Sequence, residues 1–198
     1  SVLIHGGGGG VGTAALQLCQ WAGVTNVWST ASAGKADIIR SYDAVAIDRH
    51  NENFVEIVRS QTNGRGVDHV LDPIGGEHLK RSLSVLAQGG KLYTYGMSSA
   101  APSSKRSLWK ALKALRSRPR FDPMLMMSRN QGVFGVHMGT WIDEDVMQEQ
   151  MQNILKGIKE GALSPIIDSI YDAKDVAKAH QHIHDGKNIG KVLLKFVE

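Results

Sequence analysis

Ser1-Val2-Leu3-Ile4-His5-Gly6-Gly7-Gly8-Gly9-Gly10-Val11-Gly12 begins as a short apolar run, opens into glycines and continues as a helical pattern. That order reads as strand, phosphate loop and helix. Gly7, Gly9 and Gly12 satisfy G-x-G-x-x-G, in which one glycine makes the turn, one admits a pyrophosphate to the backbone and one lets helix pack on strand. Gly6, Gly9 and Gly12 fit a G-x-x-G-x-x-G spacing equally well, so the register within the run stays open. In either register the free N–H groups at the helix start face an anion.

Beyond the loop, short β-branched or apolar runs alternate with longer helical ones, the signature of an α/β fold. Strands are expected at Val2 to His5, Asn26 to Thr30, Ala44 to Ile47, Val67 to Asp72, Lys91 to Tyr95 and Val133 to His137. The first helix places Val11, Ala15, Leu18, Cys19 and Ala22 on its apolar face, with Gln17 and Gln20 opposite, and ends near Gly23. Further helices are expected over Lys35 to Tyr42, Phe54 to Gln61 and Glu77 to Leu86, the last stopped by Gly89-Gly90. Together these predict a Rossmann-type doubly wound parallel sheet over residues 1–142, with ligands at the carboxyl ends of its strands. Residues 143–198 read as a separate C-terminal α/β tail. It comprises a long helix from Asp143 to Lys159, a strand from Ile166 to Tyr171, a helix from Ala173 to His184 and a strand from Lys191 to Val197.

The 198 residues are 42% hydrophobic and 21% charged, a globular composition long enough for one substantial core. No apolar run reaches the roughly 18 residues of a membrane span, and the chain starts on a strand without a leader pattern, so a cytoplasmic location is expected. The single cysteine, Cys19, rules out an internal disulfide and a multi-cysteine zinc site within this chain and reads as core. The formal charge of +4 is local: seven basic residues lie from Lys105 to Arg120 with no acid among them, and the remainder sums to −3. Nucleic-acid binding is therefore not expected.

About 20 residues after the glycines, an NAD site carries an acid for the ribose 2′-hydroxyl. Here the sequence is Trp28-Ser29-Thr30-Ala31-Ser32, and no Asp or Glu occurs between Gly12 and Asp37. Lys35 follows at the next helix start, where an ammonium, hydroxyls and helix N–H groups together suit a 2′-phosphate. Arg49, just past the third strand, is a second candidate cation. NADP(H) is the expected cofactor. Other nucleotide folds fit worse, since no tyrosine heads a Tyr-x-x-x-Lys motif and no acid follows the second strand as in a methyltransferase.

Taken together, His5 to Gly12, Thr30-Ala31-Ser32 with Lys35, Gly66 to Gly76, Gly89-Gly90-Lys91-Leu92, Gly161 to Pro165 and Asn188 to Leu194 resemble the zinc-independent quinone oxidoreductases of the medium-chain dehydrogenase/reductase superfamily. Asn26-Val27 through Lys35, Gly135 to Gly139 and the insert after Gly96 look most like its branch of synaptic-vesicle membrane-protein homologues. The resemblance implies a small-molecule substrate, a quinone or α,β-unsaturated carbonyl, reduced by hydride transfer. It further implies that Gly9, Gly10, Val11 and Gly12 wrap the pyrophosphate and that Ser32 and Lys35 take the 2′-phosphate. Gly96, Met97 and Ser98 would line the ribose and nicotinamide with Phe134, Gly135 and Val136, and Asn188 would approach from the tail. Arg49 stands where a tyrosine is usual. Family members carry an N-terminal barrel-like domain that closes the substrate cleft, and this sequence lacks it. The chain is accordingly expected to be the cofactor half, inactive alone, with an unusually apolar tail, and to form a homodimer through the edge at Val133 to His137. No catalytic residue is assigned.

Some features have plainer readings. His180, His182 and His184 place only two imidazoles on one helix face and lack a completing Cys or Glu, so a surface helix is expected and no metal site is assigned. Asp72, followed by Pro73, is positioned for a general base but is expected to cap the turn. If helical, residues 105–120 set Leu108, Leu112 and Leu115 opposite Lys110, Lys113 and Arg116, the layout of either a packed amphipathic helix or a peripheral membrane contact. A non-catalytic, membrane-associated nucleotide-binding adaptor is the alternative function. Met124 to Met127 is expected to be core or a subunit contact.

Overall fold

The computed structural model describes residues 1–98 and 119–196. Its elements in chain order are β1 (Val2–His5), α1 (Gly12–Trp21), β2 (Val27–Ala31), α2 (Ala36–Arg40), β3 (Val45–Asp48), α3 (Phe54–Gln61), β4 (Val67–Asp72), α4 (His78–Ser84) and β5 (Leu86–Thr94). There follow α5 (Pro123–Arg129), β6 (Gly132–Gly135), α6 (Glu144–Lys159), β7 (Ile167–Asp172), α7 (Val176–His184) and β8 (Lys191–Lys195). The main sheet has six strands in the order β3-β2-β1-β4-β5-β6. Its pairs are parallel, as in β4–β1 and β2–β3. This is the doubly wound α/β arrangement, and its order reverses at β1, where such sheets open a ligand crevice beyond their carboxyl ends. β1 is buried along its whole length, as its unbroken apolar run requires of a parallel strand covered on both faces.

Two compact units make up the chain. One comprises Ser1–His5 and Asn51–Trp141, the other Gly6–His50 and Ile142–Glu198. This differs from a division at 142/143, because the tail shares a unit with the glycine loop. The Gly190 N–H donates to Gly8 O at 3.0 Å, and Gly9 and Gly190 form an isolated parallel bridge. β7 and β8 pair in parallel as a separate two-stranded sheet, so the tail stays out of the main sheet.

Several sequence expectations need correction. α1 is rotated: Val11 and Leu18 are 51% and 42% exposed, whereas Thr13, Leu16 and Gln17 are buried. Gln17 belongs inside because its Oε1 accepts the Ser164 N–H at 2.7 Å, so a tail amide is satisfied by the side chain that periodicity assigned to solvent. Cys19 is half-buried rather than core, and burial pushes its thiol pKa up. α4 stops at Ser84, and β5 starts at Leu86 and runs through Gly89-Gly90, with an irregular register against β4 between Val67 and His69. β6 ends at Gly135, short of His137.

Met124 to Met127 lies on a helix that the sequence reading did not place. Asp122 caps it by accepting the Met124 N–H, Pro123 sits in its first turn and Asn130 closes it in the left-handed conformation. Met124, Leu125 and Met127 are exposed, which excludes a core role. The basic stretch from Lys105 lies outside the described residues as far as residue 118, as does Val197. Among the described residues, no helix is long and apolar enough to cross a membrane.

Candidate functional site

The phosphate end of the site is built within the unit that holds the glycine loop. Gly6 turns the chain with φ +75, and the N–H groups of Gly6 and Gly7 both donate to Thr30 O, at 2.9 and 3.0 Å. A Cβ on Gly12 would collide with Gly6 O and the backbone of Gly7, and one on Gly7 would collide with Ser29 Oγ. Gly9 is less confined, its Cβ meeting Gly6 O at 3.3 Å. Helix start, turn and neighbouring strand therefore close on one another because side chains are missing, which is what a diphosphate cradle needs. No side chain caps α1 and no acid stands in its first turn. The bridge between Gly9 and Gly190 engages the Gly10 amide with the tail, whereas the Val11 amide has no hydrogen-bond partner among the described residues, leaving a donor for an anion at the start of α1. These residues fit a dinucleotide pyrophosphate.

Lys35 lies beside this loop. Its stem passes over Gly8, whose Cβ would come 2.5 Å from Lys35 Cδ, and its ammonium donates to Asn188 O at 2.5 Å. Burial is the main influence lowering the Lys35 pKa, the Arg49 charge adds to it, and Asp168 opposes both. A group held this way is partly desolvated beside a second cation, and an anionic phosphate would relieve both penalties. Thr30 is buried, and Ser32 precedes the 3-10 turn, Ala33–Lys35, that presents Lys35. Arg49 is exposed, its N–H bonded to Ala31 O and its Nε to His50.

The tail supplies Asn188, buried, with its Nδ2 bonded to Gly190 O. The neighbouring Ile189 N–H is held by Asp168 Oδ1 at 2.7 Å, while Asp168 Oδ2 takes His182 Nε2 at 2.7 Å. His182 is thus a tail-fixing residue, and His180 and His184 are exposed on α7. Sequence reasoning missed Asp168 and Lys191, whose side chain lies across Gly10. Nothing in local periodicity could reveal either, because both reach their places only once the tail has folded back on the loop.

Residues expected at the nicotinamide end fall in the other unit. Gly96 has no room for a Cβ, which would strike Pro73 O at 2.5 Å, and the Ser98 N–H donates to Pro73 O. Met97 and Ser98 are exposed. The Val136 N–H donates to Thr94 O, Gly135 has open space around its α-carbon, and Phe134 stacks on Tyr93 with centroids 5.5 Å apart.

Behind the β4 end sits a buried polar chain. Asp72 Oδ1 accepts the Ile74 and Gly75 N–H groups at 2.7 and 3.1 Å, and Oδ2 accepts Ser82 Oγ at 2.7 Å and lies 2.8 Å from His78 Nδ1. With the Ser82 proton committed to Asp72, His5 Nε2 donates to Ser82 across 3.2 Å. Burial raises the Asp72 pKa, but the bonds from His78 and Ser82, the field of His5 and the Gly75 amide outweigh it and leave it at about 2. Such a carboxylate is a poor proton acceptor at neutral pH and a good cap, as the turn chemistry suggested. His5, Asp72 and His78 offer ligand atoms within 4.8 Å of one another, and the hydrogen bonds just described already account for that geometry.

The zinc-binding dehydrogenase family model matches residues 42–194. A rat synaptic vesicle membrane protein VAT-1 homologue is 34% identical over 197 residues, covering 98% of this chain and 48% of the relative. The crystal structure of a human VAT-1 homologue-like protein matches all of this chain and 53% of its own, at 27% identity and TM-score 0.75. A mycobacterial quinone oxidoreductase matches 96% and 55% respectively, at 27% identity and TM-score 0.71. This chain spans about half the length of the curated relatives it matches. With its glycine cradle, its doubly wound sheet and a family match over most of its length, the chain belongs to the zinc-binding dehydrogenase family of medium-chain dehydrogenases/reductases.

Proposed function

We propose that this chain is the cofactor-binding part of a cytoplasmic, zinc-independent NADPH-dependent oxidoreductase that reduces quinones or α,β-unsaturated carbonyls. The observation that carries the cofactor choice is Lys35. Its ammonium stands next to the glycine loop at the end of β2, where an NAD site would place an acid, and no acid occurs between Gly12 and Asp37. When bound, the nicotinamide supplies the hydride. The chain's own residues do the holding: Gly9, Gly10, Val11 and Gly12 wrap the pyrophosphate with the Val11 amide donating to it, Lys35 with Ser32 and Arg49 takes the 2′-phosphate, and Asn188 orients Lys35. Gly96 to Ser98 and Phe134 to Val136 are assigned to the ribose and nicotinamide. The substrate class is supported by the quinone oxidoreductase neighbour. A homodimer through β6, at one edge of the sheet, is part of the same reading.

Calorimetric titration with NADPH and NADH tests it. NADPH binds more tightly, and Lys35→Ala weakens NADPH by about tenfold to a hundredfold, the worth of a hydrogen bond to a charged group, while leaving NADH unchanged. Equal affinities in the wild type would remove the NADP(H) assignment. A second reading, a membrane-associated nucleotide-binding adaptor without turnover, is favoured by its relatives, which are named synaptic vesicle membrane proteins. NADPH oxidation with a quinone panel, measured on the protein together with a substrate-closing domain, separates the two. Cofactor binding without turnover selects the adaptor.

A further inference from the structure

Asn188 O and the Ile189 N–H are the two ends of one peptide group, and a charged side chain engages each of them. The Lys35 ammonium donates to the carbonyl, while the N–H donates to Asp168 Oδ1 at 2.7 Å. A peptide group is planar and rigid, so these two bonds cannot turn independently: whatever fixes the N–H end also fixes where the carbonyl, and the ammonium on it, can stand. Both bonds are charge-assisted and run with the peptide dipole, cation at the oxygen and anion at the hydrogen. The plane lies in the turn between α7 and β8, flanked by Gly186 and Gly190 at φ +65 and +86. The same turn reaches the other candidate cation, since a Cβ on Gly186 would lie 3.9 Å from Arg49 Nη2.

Asp168 is itself held in place. Its Oδ2 accepts from His182 Nε2 at 2.7 Å and from Ser169 Oγ at 2.9 Å, which ties the start of β7 to α7. Burial raises the Asp168 pKa, but the bonds from the Ile189 amide, Ser169 and His182 and the charge of His182 outweigh it, so the group stays an ionised acceptor at neutral pH. We propose that Asp168 is a positioning residue for the 2′-phosphate site: by accepting the Ile189 N–H it sets the Asn188–Ile189 peptide plane, and through that plane the Lys35 ammonium, so that it governs discrimination between NADPH and NADH while touching neither. The proposal rests on the NADP(H) reading above.

A residue that acts through Lys35 has a distinctive signature in calorimetric titrations of the purified chain. Asp168→Ala weakens NADPH about tenfold and leaves NADH unchanged. Asp168→Asn, whose amide oxygen still accepts the Ile189 N–H, keeps most of the NADPH affinity. Adding Asp168→Ala to Lys35→Ala costs NADPH nothing further, because the group being positioned is already gone. Asp185→Asn, which removes a carboxylate bonded to Gln181 and Lys187 beside the same turn, leaves both affinities unchanged. With no dinucleotide present, Asp168→Ala speeds hydrogen exchange at the Ile189 amide and leaves the β1 amides slow, which shows the fold intact. Wild-type discrimination in Asp168→Ala overturns the proposal, as does an equal loss for NADPH and NADH. So does a loss in Asp168→Asn as large as in Asp168→Ala, which would make charge the cause, or a full further loss in the Lys35 background. A wild-type chain that binds NADPH and NADH equally overturns the NADP(H) reading instead, and the role of Asp168 falls with it.

Discussion

His5 ends β1 as a neutral imidazole. Burial above all, then the charge of His78, lowers its pKa from 6.5 to about 3, with Asp72 opposing. An unfolded chain takes up a proton at this residue near its ordinary pKa, whereas the folded chain does not. The stability gained by keeping His5 neutral is therefore complete above pH 6.5 and is lost as pH falls from 6.5 toward 3, at up to about 1.4 kcal/mol per pH unit. Asp72 works in a lower window, because its folded pKa of about 2 lies under the ordinary 3.8, so its contribution disappears as pH falls between those values. Urea denaturation at pH 7 and pH 5 checks this. Wild type loses stability between the two, while His5→Gln, which retains an N–H for Ser82 but no titrating group, shows a flatter profile. An equal loss in both proteins would assign the acid sensitivity elsewhere.

At the scale of elements, α1 shows what a sequence can and cannot reveal. Its start was legible because the constraint is local: Gly12 must lack a side chain where helix meets turn, and that requirement is written in the motif. β1, β4 and α3 were placed to the residue for similar reasons, an apolar run bounded by turn residues or by the Asn53 cap. Which face of α1 is buried was not legible, because the partner of Gln17 is an amide 147 residues away. The candidate site divides the same way. Spacing alone proposes the glycines and Lys35, whereas the positions of Asp168 and Lys191 depend on the tail's return. Gln17→Leu makes the distinction measurable: although it adds an apolar group at a buried position, it strands the Ser164 N–H and destabilises the chain by about 1–3 kcal/mol in urea denaturation. A stabilised variant would mean that water or another group satisfies the amide.

The whole molecule carries two surfaces of different kind, and they make different predictions about association. α6 exposes Met147, Met151, Ile154, Leu155 and Ile158 along one stripe, and β7 exposes Ile170, an apolar surface of the sort that drives association when left uncovered. β6 is a sheet edge among the described residues, and a sheet edge presents backbone donors and acceptors for pairing. The Val136 N–H points inward to Thr94 O, and strand alternation turns the amides of Phe134 and Gly132 the same way, leaving those of Val133 and Gly135 facing outward. Val133→Pro therefore removes an outward donor while sparing the β5–β6 ladder. Size-exclusion chromatography with light scattering then reports a dimer for the wild type and a monomer for Val133→Pro, with an unchanged melting temperature. Met151→Glu with Leu155→Glu suppresses concentration-dependent aggregation and leaves the dimer intact. If the dimer instead survives Val133→Pro and falls apart in the double glutamate variant, the copies meet through the tail, and the β6 edge is not the interface.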